Sequence, residues 1–199
     1  MNTIYLIFVF IIFSVIGLMV ILWKFENILD FIIEKSSSKG LKIGPWKTHL
    51  EVGRHNLRKI EKSAIARVGL GANDSEETIY WNAFEDSNGD ELVSDNNYKI
   101  FIKNKPQVDY ANYGFWSITV YGQNKFFVKN EGRRYSIKSS DENSDSFVLS
   151  RAEPNDACTW LPLPKQSEKI SLALRCYLPS DQMKSGKLSA NDLPIIKKI

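Results

Sequence analysis

Two short stretches of this 199-residue chain, Arg134-Tyr135 and Arg175-Cys176-Tyr177, hold the residues best suited to chemistry. Both read as parts of β-strands, where an arginine must either reach solvent or find an acceptor. A planar guanidinium beside tyrosines and Trp116 would suit an anionic or saccharide ligand. The ligand-binding set expected is therefore Arg134, Tyr135, Trp116, Arg175, Tyr177 and Glu77. The structural alternative has Arg134 paired with Glu76 or Glu77, pinning the strands together. Glu76, Glu77 and Asp86 are also the carboxylates that could act as acid and base, as in glycoside hydrolysis. Trp81, Trp116 and Trp160 read first as core residues and only second as a binding platform.

No reaction is dictated by motif. There is no G-x-S-x-G elbow, no H-E-x-x-H and no phosphate-cradling glycine motif. His49 and His55 are six apart in an extended segment before the helix and lack evident co-ligands, so they read as surface histidines. Residues 85–91, EDSNGDE, lack the oxygen spacing and distant bidentate glutamate of a calcium loop and read as a hairpin turn. Cys158 and Cys176 do not have zinc spacing. They read as two buried thiols, with one disulfide as the alternative in an oxidising compartment. Neither a metal nor a cofactor is expected, and catalytic residues are not assigned. A net charge of +3 without a reader motif gives no case for nucleic acid.

The elements that must position these residues begin with an anchor. Between Ile4 and Trp23 there is no charged residue. About twenty apolar residues at 1.5 Å rise span roughly 30 Å, the hydrocarbon thickness of a bilayer. No Lys or Arg precedes the run and no small-x-small site follows it, which favours a retained anchor over a cleaved signal peptide. Phe25, Ile28, Leu29, Ile32 and Ile33 then continue a helical stripe, and Ser36 to Gly40 read as a linker. The division expected is 1–23 transmembrane anchor, 24–40 amphipathic extension and linker, and 41–199 a β-rich domain.

Within 41–199 one helix is predicted, from about Asn56 to Val68 with Gly69 as its stop. The rest alternates. Strands are predicted over 78–84, 98–103, 115–121, 125–128, 134–137, 146–151 and 169–177, with Asn88-Gly89 as the hairpin turn between the first two. Many short strands between turn signals predict a mainly β fold: an antiparallel β-sandwich of jelly-roll type with one N-terminal helix, preceded by a single transmembrane helix. Basic residues dominate 39–67 and acidic ones 74–95. Beside an anchor the basic stretch could hold anionic headgroups; the plainer reading is two solvated or mutually neutralising faces.

Six ordered motifs carry a family likeness: GPW (44–46), ARVGLGANDSEETIYW (66–81), FWSITVYG (115–122), NEGRRYSI (130–137), TWLPLP (159–164) and LALRCYLP (172–179). In these the chain resembles the bacterial domain-of-unknown-function family 1214. The resemblance implies a jelly-roll β-sandwich behind an exported or membrane-anchored start, and no established activity. Larger members carry an upstream domain of unknown function that has no counterpart in these residues. Thr159 stands where Asn is usual, Cys176 where an apolar residue is usual, and Lys187-Leu188 follow Gly186 where a tryptophan motif is common. The expected function is a membrane-held module that binds a partner protein or an envelope molecule; the alternative is an enzyme acting on an envelope saccharide or lipid-derived substrate. Lys24, Lys35, Lys39 and Lys42 after the helix favour a cytoplasmic domain by charge. The family likeness points instead to the periplasmic side of a bacterial inner membrane, and that side is preferred.

Overall fold

The computed structural model describes residues 3–37, 40–50, 57–68, 73–155 and 159–199. With no charge to solvate over its first five turns, the N-terminal segment forms one unbroken helix, α1 (Thr3–Ser37). The stretch Ile7–Leu29 is long and apolar enough to cross a membrane, and none of its most apolar window is buried in the protein. The helix continues through Ser36 and Ser37 instead of breaking there, and 38–39 lie outside the described residues.

The chain divides into two units. The first is α1 with α2 (Lys59–Val68), a helix expected among the strands of the β-rich segment that packs against α1 instead. Among the described side chains of the apolar stripe Leu29 is buried, Ile33 is half-buried, and Phe25 and Ile28 are exposed. Arg58 opens α2 by donating its backbone N–H and guanidinium to Glu61, at 3.0 and 2.7 Å. The predicted helix start at Asn56 and stop at Gly69 lie outside the described residues.

The second unit is mainly β. Its strands are β1 (Leu41–Ile43), β2 (Trp46–Thr48), β3 (Thr78–Ala83), β4 (Tyr98–Phe101), β5 (Phe115–Tyr121), β6 (Ser136–Lys138), β7 (Ser146–Ser150), β8 (Thr159–Pro162), β9 (Ser171–Tyr177) and β10 (Ile195–Lys198). One sheet has the order β1-β2-β3-β9-β5-β6 and the other β10-β4-β7-β8. Both sheets feed one core. Trp46, Ile79, Trp81, Trp116, Ile118, Leu172 and Leu174 enter it from the first, and Tyr98, Ile100, Phe147, Leu149, Leu161 and Ile196 from the second. The buried indoles of Trp46 and Trp81 use their N–H groups, on the Pro194 carbonyl at 2.7 Å and the Met183 thioether at 3.3 Å. Met183 belongs to α3 (Asp181–Ser185), capped by Ser180 and ended by Gly186 at φ +69°. After it, Leu188 packs on the core.

Three expectations need correction. Asn88-Gly89 does make a tight turn, with Gly89 at φ +93° and the Asp86 amide donating to Asp90, but it does not pair β3 with β4. Both edges of β3 are taken, by β2 and β9, so the chain crosses to the other sheet, where β4 pairs with β7 and β10. The fold is not antiparallel throughout, because β7 and β8 run parallel. Strand β8 sits at the sheet edge and ends in Pro162, whose missing N–H an edge tolerates. Residues 125–128 form no strand; a single bridge, Tyr121 to Phe127, is all that remains of that pairing. Strands β1, β2, β8 and β10 were not foreseen.

Candidate functional site

Alternation along β3, β9 and β5 sends every second side chain away from the core. Register then fixes the rows on that outer face: Thr78, Tyr177 and Phe115; Tyr80, Arg175 and Ser117; Asn82, Ala173 and Thr119. Thr78, Ser117, Thr119 and Ala173 are buried although they face outward. They form a floor of small side chains among larger neighbours.

Arg175 lies across this floor. Its Nη1 donates to Thr119 Oγ1 at 2.9 Å and its Nη2 donates to the Tyr121 hydroxyl. The guanidinium carbon is 5.6 Å from the centroid of the Tyr121 ring, within cation–π range. A row of rings continues from there: Tyr121 stacks on Phe127, and Phe127 on Tyr135, each at 5.3 Å between centroids. On the other side Tyr177 stacks on Phe115 at 4.3 Å and 17°. Burial raises the pKa of the Tyr177 hydroxyl, Arg175 opposes that rise, and the nearby Tyr80 and Tyr121 add to it. The phenol is therefore a neutral donor near pH 7.

The charge on Arg175 is what distinguishes this face. Both its acceptors are neutral hydroxyls, and among the described residues no carboxylate pairs with it. Arg151 of the same unit is spent differently. It is held by Asp95 at 2.9 Å, by the Pro164 carbonyl and by Ser94, which ties two loops together. Ser167 and Arg151 hold the Asp95 carboxyl below its ordinary pKa. A guanidinium has five N–H donors in a planar fork. With two of them on hydroxyls, Arg175 keeps donors for a carboxylate or phosphate, beside rings that can cover the flat face of the same ligand.

Of the residues singled out from sequence, Arg175, Tyr177 and Tyr135 come together on this face. Trp116 does not: it points into the core, fully buried, with an indole N–H that finds no partner among the described residues. Arg134 is not within a strand. It is exposed in the turn before β6 and donates to the Trp160 carbonyl at 3.2 Å. The anticipated pairing of Arg134 with Glu76 or Glu77 is not formed. Glu76 pairs with Lys184 at 3.0 Å, and Glu77 is exposed at the start of β3, its carbonyl accepting from Leu178. Asp86 is buried in the 86–90 turn, where one oxygen takes the amides of Asn88 and Asp90, while Glu85 and Glu91 pair with Lys42 and Lys169. Among the described residues no group of three or more His, Cys, Asp and Glu side chains is arranged to hold a metal ion.

His49 is half-buried, and burial followed by Lys47 lowers its pKa; His55 lies outside the described residues. Cys176 is a buried thiol whose pKa burial pushes up; Cys158 lies outside the described residues. Trp160 is half-buried and donates to the Ser150 carbonyl. Sequence reasoning missed Tyr80, Phe115, Thr119, Tyr121 and Phe127. The one signal for them is the alternation in 115–121, where Phe115, Ser117, Thr119 and Tyr121 fall on one side and Trp116, Ile118 and Val120 on the other.

Fold and face together define a β-rich domain, two sheets on one core, that follows an apolar N-terminal helix and presents an arginine-centred aromatic surface. By family the chain belongs to the proteins of unknown function DUF1214, whose model matches residues 77–181, just over half of its length. No curated protein matches it. Among solved structures, the VPA0106 protein from Vibrio parahaemolyticus is similar in fold, with a TM-score of 0.59 and 21% identity over 87% of this chain. The match covers 42% of that protein, so the present chain corresponds to less than half of it. An uncharacterised protein from Burkholderia cenocepacia matches at a TM-score of 0.43 and 13% identity, over 69% of this chain and 33% of that one.

Proposed function

We propose that this protein is a membrane-anchored binding module whose outer sheet face takes an acidic saccharide of the cell envelope. The observation that carries the reading is Arg175, a cation in the middle strand of a sheet with neutral hydroxyls as partners and aromatic rings beside it. A uronic acid supplies both complements. Its carboxylate matches the guanidinium fork, and the C–H face of its ring stacks on tyrosine or phenylalanine.

Retention of the anchor is supported by the first unit. Helix α2 packs against α1, so cleavage of α1 as a signal sequence would strip α2 of its partner. The two sheets are read as a sandwich because their buried residues form one core. The domain is placed on the periplasmic side, where such saccharides occur, and protease treatment of intact spheroplasts tests this: digestion is expected, and protection equal to that of a cytoplasmic control would refute it.

Calorimetric titration of the full chain in detergent with D-glucuronate, and with D-glucose as the neutral counterpart, tests the ligand class. Glucuronate is expected to bind and glucose to bind much more weakly. Replacing Arg175→Met should weaken glucuronate about 10- to 100-fold, the usual worth of charge-assisted hydrogen bonds. Equal affinity for the two sugars, or an unaltered Arg175→Met variant, would refute the proposal.

A further inference from the structure

We propose that the connection between β5 and β6 is a docking element for an anionic lipid surface. It takes from the reading above only that the chain is held at a bilayer. The Arg175 ligand plays no part, so the two proposals fail separately.

Residues 123–138 contain Lys125, Lys129, Arg133, Arg134 and Lys138 against Glu131 alone, whereas the whole chain has a net charge of only +3. Among the described residues none of these five side chains has a carboxylate within ion-pair distance. At the tip of the same segment stand two phenylalanines, Phe126 at 71% exposure and Phe127 at 51%. Phe127 is held by the ring row with Tyr121 and Tyr135, while Phe126 has no ring partner among the described residues.

This presentation is built by the backbone. Asn124 Oδ1 accepts from the Phe126 amide at 2.9 Å, and Lys125 and Gly122 close the turn with bonds of 2.9 and 3.1 Å. Asn130 pins the second half, its side chain bonding Val128 and Arg134. Lys125 and Arg133 both stand at positive φ, +63° and +50°, where glycine or asparagine would be the relaxed choice. The segment thus keeps cations at strained positions and a phenylalanine in water, and folding benefits from neither.

An exposed phenylalanine flanked along the chain by lysines and arginines without carboxylate partners matches one surface directly. The Phe126 ring enters the boundary between headgroups and acyl chains, and the cations meet anionic headgroups. A protein partner would need acids placed against five separate cations. A bilayer containing phosphatidylglycerol supplies them anywhere along its surface.

The test places an environment-sensitive nitrobenzoxadiazole label at Phe126→Cys in a Cys158→Ser background; buried Cys176 stays unlabelled in the folded protein. The full chain is reconstituted in vesicles of pure phosphatidylcholine and of phosphatidylcholine with 30% phosphatidylglycerol. Emission is expected to brighten and shift to the blue in the anionic vesicles, and to return toward its aqueous value in high salt. Each basic residue removed should weaken the contact about five-fold. Lys125→Gln with Lys129→Gln should therefore abolish most of the shift while leaving the thermal midpoint unchanged. Aqueous emission in both lipids would overturn the proposal and leave the tip to a protein partner. Equal shifts in the two lipids, or a shift that survives the lysine substitutions, would overturn it as well.

Discussion

Strand β5 carries two surfaces built on opposite rules. Its inner side is Trp116, Ile118 and Val120, packed with Leu172, Leu174 and Cys176 of β9 and sealed from water. Its outer side is Phe115, Ser117, Thr119 and Tyr121, joined by Arg175 and Tyr177 of the same neighbouring strand. Burial explains the first surface completely, since apolar area removed from water stabilises at about 25 cal/mol per Å². Nothing comparable explains the second. A stable sheet can leave its outer face to scattered polar residues, yet this one assembles a charge, two hydroxyls and stacked rings around a floor of small side chains. The contrast teaches where to look for function: in the organised face that stability does not require.

The largest effect expected from breaking this contrast lies on the inner face. Leu174→Ala should cost about 2–5 kcal/mol, read by chemical denaturation, through lost burial and the cavity left behind. Cys176→Ser should cost about 1–3 kcal/mol, because it puts a hydroxyl without a partner where a buried thiol sits. In the native wild type the same thiol should resist Ellman's reagent until the protein unfolds. Arg175→Met sharpens the contrast from the other side. It should cost about 1 kcal/mol, far less than Leu174→Ala, since the bonds lost are to two neutral hydroxyls, on buried Thr119 and half-buried Tyr121, while removing glucuronate binding.

A smaller effect lies at His49, away from both faces. Its folded pKa is lowered, so the unfolded chain binds the proton more readily. The contribution is fully present above the unfolded value of about 6.5 and is lost as pH falls through the lower folded value. Denaturation midpoints of the wild type should therefore decline between neutral pH and about pH 5 more than those of His49→Gln.

The inner face was legible in the sequence. Alternation of Trp116, Ile118 and Val120 between Gly114 and Gly122 marks 115–121 as a strand, and the structure keeps those bounds. Arg175 and Tyr177 were legible as residue types in a strand. Their partners were not, because the pairing of β9 with β5 and β3 is set by packing across more than fifty residues. Trp116 was drawn into the expected site by its aromatic character, although its parity with Ile118 already assigns it to the core. Arg134 was misplaced for a local reason: Arg133 at positive φ and the Asn130 clamp turn the chain, so β6 starts only at Ser136. The parallel edge strand β8 carries two half-buried residues and two buried ones, a proline among them, in four positions, too little pattern to read.

The two faces of β5 and β9 should be separable, and one paired measurement tests that directly: denaturation midpoint and glucuronate affinity, measured side by side for Leu174→Ala and Arg175→Met in the full chain. The prediction is a crossed result. Leu174→Ala loses several kcal/mol of stability and, below its midpoint, binds as the wild type does; Arg175→Met loses only about 1 kcal/mol and loses binding. If Arg175→Met instead unfolds the domain, or if both variants bind glucuronate alike, the outer face is part of the scaffold and the central claim is contradicted.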